Sequence, residues 1–204
     1  MSTPVSPGNP CPFLRALVAQ GLLPDGSAPL GEVAATIGRV ARAGDGEPTL
    51  GAAAIRAIAL IANGVGPGAV LRNAGGGVRL NALRDGPLDK HGAGSRLLDA
   101  EARFQAEEWQ RLEGFTSDKT AADGRVERGL DARELTRMMD ANFERAAGRR
   151  RRIDRALMNG EWPILLKVMG KAGRSGRYLS LAELRELVEH RRLPARMRQR
   201  LPAR

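Results

Sequence analysis

The sequence predicts an all-α fold, with a single compact helical domain of about eight helices and a Gly-rich central loop. Three observations carry this. Hydrophobic residues make up 42% of the chain but aromatics only 3%, so burial rests on Ala, Leu and Val, which suit close-packed helices better than a sheet sandwich. β-Branched and aromatic strand formers are scarce, and no stretch alternates cleanly with period two. Apolar residues recur instead at helical spacing in one run after another. With 204 residues the chain has the length of one domain with a sizeable core.

Residues 1–10, rich in Pro, Gly and Ser, read as an extended N-terminal arm, and residues 11–204 as the helical domain. The first helix is expected from Pro12 to Gln20. Proline suits the first helical position, and Gly21 suits the left-handed position that ends the helix; Leu14, Leu17 and Val18 share one face. A second helix is expected over Leu30–Ala43, with Leu30, Val33, Ala34, Ile37, Val40 and Ala41 at helical spacing. A third, over Leu50–Asn63, is apolar on most sides and is the expected central core helix. The glycine-dense stretch that follows reads as irregular, with a short helix near Ala69–Asn73. Such glycine content lets backbone approach another backbone or a ligand.

From Leu98 the chain reads as helical and charged through "AEARFQAEEWQRLEGF". "TSDKTAADGR" is a turn, and a long helix, "LDARELTRMMDANFERAAG", follows. "GEWPILLKVMG" is a short apolar helix with Pro163 near its start. The last helix begins at "SLAE", where Ser180 and Glu183 have capping-box spacing, and continues to Pro194. No internal repeat is visible.

Lys and Arg total 33 against 23 Asp and Glu, a net charge of +10. That balance favours nucleic acid, anionic lipid or acidic ligands. Nearly all of the excess is Arg, which a GC-rich coding sequence also produces, so it singles out no partner. One cysteine, Cys11, cannot build a disulfide framework and is compatible with a reducing compartment. "MSTPVSPGNPCP" has neither the basic nor the apolar region of a signal peptide. The most hydrophobic run is interrupted by Arg56, Gly64 and Pro67 and does not suit a bilayer span. The expected location is the cytoplasm, with no membrane partner.

Cys11 lies between Pro10 and Pro12 at the start of a helix. There the sulfur sits at the positive end of the helix dipole, near first-turn amides that no helical carbonyl uses. Both effects favour thiolate over thiol and stabilise sulfur bound to a metal. A buried structural cysteine is the plain alternative.

"PCPFLRALVAQGLLPDG" resembles the N-terminal signature of the haem-thiolate peroxidases, the chloroperoxidase and unspecific peroxygenase family. There Pro-Cys-Pro opens a helix of the form PCPxLNxLxxxGxLPxxG, matched here by Pro10, Cys11, Pro12, Leu14, Leu17, Gly21, Leu23, Pro24 and Gly26. Arg15 departs from the family's Asn. "LSLAELRELVEHRRLPARM" looks like the family's closing helix and turn. The resemblance implies that Cys11 is the axial ligand of haem b, flanked by Pro10 and Pro12, and that thiolate donation assists O–O cleavage of peroxide.

Two further site features follow from the same resemblance. The family's Glu-Gly-Asp-x-Ser loop, which holds a divalent cation beside a haem propionate, corresponds to "HGAGS", His91 to Ser95. His91 and Ala93 replace the two carboxylates, so the cation is expected to be absent or weakened, with His91 and Arg96 left to meet a propionate, or His91 a solvated loop histidine. The distal acid–base residue corresponds to Glu144, preceded by Arg137 seven positions earlier on one helical face. Glu144 would move the peroxide proton and Arg137 would stabilise developing charge, with Asp140 as a substitute; the alternative is a chance pair, since such spacing arises on any charged helix. Phe13, Leu14, Leu17, Ile58 and Ile61 would line the pocket, unless they are ordinary core.

The function expected is oxidation or oxygenation of a small organic substrate by peroxide. A non-catalytic descendant that keeps the fold is one alternative. A basic helical nucleic-acid-binding protein is another, resting on "AGRRRRIDR" (Ala147–Arg155), which lacks interleaved aromatics and any helix-turn-helix pattern. The segment around Gly124 has one carboxylate, Asp123, where a calcium loop needs several, so no EF-hand is expected. Two histidines and one cysteine cannot fill a zinc site alone.

Overall fold

In the computed structural model, which describes residues 4–45, 77–84 and 92–201, Pro12 and Gly21 bound the first helix as their chemistry dictates. α1 (Pro12–Ala19) carries proline in its first turn, and Gly21 follows at φ +69°. The Gly21 amide donates to the Val18 carbonyl and the Leu22 amide to the Leu17 carbonyl, the paired bonds of a Schellman ending. A two-residue strand, β1 (Ser27–Ala28), leads into α2 (Leu30–Ala43), which buries Val33, Ala34, Val40 and Ala41. β1 pairs antiparallel with β2 (Val78–Arg79), and a 3-10 turn over Leu80–Ala82 follows. The expected helices over Leu50–Asn63 and near Ala69–Asn73 lie outside the described residues.

The second half overturns the all-α expectation. α3 (Ala106–Glu113), β3 (Ser117–Thr120), β4 (Val126–Asp131) and α4 (Ala132–Arg145) form a helix–hairpin–helix unit. After a short α5 (Asp154–Met158), the same order recurs in α6 (Trp162–Met169), β5 (Lys171–Gly173), β6 (Gly176–Ser180) and α7 (Leu181–Val188). α8 (Ala195–Arg200) follows. The hairpins join along β4 and β6, antiparallel, with Gly129 opposite Ser180 and Asp131 opposite Tyr178. The strand order is β3-β4-β6-β5, and a bridge from Ala121 to Gly173 brings the outer strands together at one end. The protein is mixed α/β, and its structure repeats an element order that the sequence does not display.

The strands are hidden because they are short and polar. β3 reads Ser-Asp-Lys-Thr and β5 Lys-Ala-Gly, with no apolar alternation to set against helical patterns. The hairpin dipeptides are present, however: Asp123-Gly124 with Gly124 at φ +87°, and Ser175-Gly176 with Gly176 at φ +119°. The helical reading from Leu98 is corrected too. Leu98 bridges Phe104, Ala102 sits at φ +60°, and α3 starts only at Ala106. The closing helix stops at Val188, with Arg191 at φ +54° before Pro194.

One apolar core runs through both halves. Leu17 and Val18 of α1, Trp109 of α3, Leu135, Met138 and Met139 of α4, Met169 of α6 and Leu184 of α7 are all buried in it. α1 packs against α7, which seats the cysteine helix on the second helix–hairpin–helix unit. Among the described residues, no helix is long and apolar enough to cross a membrane.

Candidate functional site

The segment before α1 is tied down by its own polar groups. The Ser6 amide donates to Asp25 Oδ1 at 2.8 Å, and the Leu83 and Arg84 amides donate to the Gly8 carbonyl at 3.0 and 3.2 Å. Asn9 is fully buried. Its Oδ1 accepts the Cys11 amide at 3.1 Å, which turns the chain into the helix and fixes the backbone at the cysteine.

Cys11 is half-buried and occupies the N-cap of α1 in an extended conformation, φ −83° and ψ 111°. Pro12 has no amide to donate, and the first intrahelical bond runs from the Arg15 amide to the Cys11 carbonyl at 3.0 Å. The Phe13 and Leu14 amides therefore lie ahead of the helical ladder, at the end of the helix where negative charge is stabilised. Pro10, Phe13 and Leu14 are half-buried, the last two against the core. Leu17 is fully buried.

His91, Ile58 and Ile61 are outside the described residues. Ser95 is half-buried and lines a narrow crevice with Glu108, Phe115, Met138 and Asn142. Ala93 in the same loop is fully buried. Arg96 is exposed, at φ +58°. Arg137 is exposed on α4. The Glu144 side chain is 71% exposed and meets Arg150 at 3.0 Å, and Asp140 meets Arg155 at 2.6 Å. Thus Arg137, Asp140 and Glu144 share the solvent face of α4, while its Met138 and Asn142 face inward. In the basic run, Arg150, Arg151 and Arg155 are held by Glu144, Asp154 and Asp140, leaving Arg149 and Arg152 exposed.

Two polar networks at the sheet were not anticipated. Glu127 on β4 accepts from Tyr178 Oη at 2.6 Å and Ser180 Oγ at 2.8 Å, and from Lys171. Burial pulls its pKa up, but the three hydrogen bonds outweigh this and hold the carboxyl below its ordinary range. Burial and the bond to Glu127 push the Tyr178 phenol up. Across the sheet, Lys119 Nζ lies 2.8 Å from Asp131 Oδ2 and 2.7 Å from Glu134 Oε2. Both carboxyls are again held low, the lysine's hydrogen bonds prevailing over burial. In the second network the Lys119 ammonium sits between two carboxylates, where a cation would otherwise sit. Among the described residues, no three His, Cys, Asp or Glu side chains are grouped to hold a metal ion. An open cavity of about 260 Å³ lies beside the first network, lined by Trp109, Glu113, Glu127, Arg128, Leu181 and Arg185.

No protein-family model, no curated protein and no solved structure matches the chain.

Proposed function

We propose that the chain is a haem-thiolate peroxidase-like protein, with Cys11 as the axial ligand of haem b and peroxide as the oxidant of a small organic substrate. The observation that supports this is the place of Cys11: half-buried at the N-cap of α1, ahead of amides that lie outside the helical ladder. The donor chemistry fits the group, since haem iron takes a single thiolate from its proximal side and needs no cluster of ligands. When bound, the haem supplies the redox chemistry of peroxide activation.

The chain's own residues hold and tune the sulfur. Asn9 pins the Cys11 amide and Pro12 fixes the backbone beyond it. The Phe13 and Leu14 amides and the helix dipole favour the thiolate. A cytoplasmic location belongs to the same reading, because a ligating thiolate needs no oxidising compartment. The test is haem content after expression with haem precursor. The proposal expects stoichiometric haem in wild type and its loss in Cys11→Ala. Equal haem in both would remove Cys11 from the site.

A second reading keeps haem or fold without peroxide chemistry. The solvent-facing placement of Arg137 and Glu144 supports it. Haem-loaded wild type that fails to turn over any peroxide favours this second reading. A loss of turnover of about 10²–10⁴-fold in Glu144→Gln, the range for a general acid–base residue, favours the first.

A further inference from the structure

Two buried donors close to the start of α1 have no acceptor among the described residues. Asn9 is 0% exposed and Arg15 is 4% exposed. Asn9 Nδ2 and Arg15 Nε are both fully enclosed and make no hydrogen bond among the described residues. They are neighbours: Arg15 Nη1 donates to the Asn9 carbonyl at 3.1 Å and to the Ser6 carbonyl at 2.7 Å. Because the Cys11 amide takes Asn9 Oδ1, the carboxamide cannot turn its oxygen toward the arginine without losing that bond.

Among the described residues, positive charge around these donors is in excess. Arg84 gives Nε to the Pro7 carbonyl at 2.9 Å and another donor to the Asp99 carbonyl, so its partners are neutral. Burial lowers the Arg15 pKa first, then repulsion from Arg191 and Arg84, with Asp25 opposing them. A buried guanidinium N–H and a buried amide N–H left idle each cost stability unless an acceptor arrives.

We infer that Asn9 and Arg15 form a binding site for the carboxylate of a small organic acid, its two oxygens accepting from Asn9 Nδ2 and Arg15 Nε. A planar monoanion with two acceptor atoms matches two N–H donors on separate side chains. It also offsets part of the charge of Arg15, Arg84 and Arg191. The anion site needs no cofactor at Cys11, although Asn9 serves both, its Oδ1 holding the Cys11 amide.

The experiment titrates acetate into haem-free full-length protein at constant ionic strength, following the Arg15 Nε–H resonance and the melting temperature. A saturable shift of that resonance and a rise in melting temperature are expected with acetate and not with chloride or sulfate. The exposed Arg191→Gln should weaken acetate binding about threefold, as a nearby solvent-facing charge would. Asn9→Asp keeps an oxygen for the Cys11 amide and places a carboxylate oxygen against Arg15; it should raise the melting temperature and abolish the acetate response. No acetate shift, an equal shift with chloride, or an undiminished acetate response in Asn9→Asp would each overturn the site.

Discussion

Glu127 shows how single residues hold the sheet. Its carboxylate takes three donors from β5 and β6, so it fastens β4 to the second hairpin by side chains as well as by backbone. Its pKa is depressed in the folded state, as are those of Asp131 and Glu134. A group with a depressed folded pKa stabilises the fold above its unfolded value of about 4. That contribution disappears as pH falls through the lower folded value, because the unfolded chain then binds more protons. Melting temperature should therefore fall steeply below about pH 5, and Glu127→Gln should be less stable at pH 7 but flatter in the acid range. A parallel acid profile would show that Glu127 is not a source of the dependence. At this scale the sequence was informative about Cys11, because two prolines fix its surroundings locally. It was silent on Arg15, Glu127 and Lys171, whose partners lie 6 to 53 positions away.

Element boundaries were legible where the signal is local. Pro12, Gly21 and the apolar spacing of Leu30–Ala43 give α1 and α2 almost to the residue. The start of α4 is set by Asp131, which accepts the Arg133 and Glu134 amides while Glu134 returns to the Asp131 amide at 2.8 Å. This Asp-x-x-Glu box is a local signal that could have been read from "DARE". Asp131→Ala should cost about 1–2 kcal/mol by loss of the cap, measured by urea unfolding, and an unchanged midpoint would contradict it. Ser180 shows the reverse case. It has capping-box spacing and does cap α7 by position, but its hydroxyl goes to Glu127 rather than to the helix. The strands escaped because sheet pairing, not side-chain pattern, makes them. At Gly129 a Cβ would lie 2.7 Å from both the Leu179 carbonyl oxygen and Tyr178 Cδ2. Gly129→Ala should therefore destabilise by about 1–3 kcal/mol, read from the same unfolding curves; wild-type stability would mean β4 and β6 are less closely apposed.

For the whole molecule, the structure joins a cysteine-led helical half to paired helix–hairpin–helix units through the packing of α1 on α7. Leu17 is fully buried within the common core, and Leu17→Ala should cost about 2–5 kcal/mol in a single cooperative transition. Two separated transitions would show that the halves fold independently. The functional account rests on one atom, the sulfur of Cys11, and the measurement that addresses it is an absorption spectrum of haem-loaded protein, reduced and exposed to carbon monoxide. A strongly red-shifted Soret band that vanishes in Cys11→Ala is the predicted result. An unshifted band, or a shifted one that persists in Cys11→Ala, would contradict thiolate ligation by Cys11.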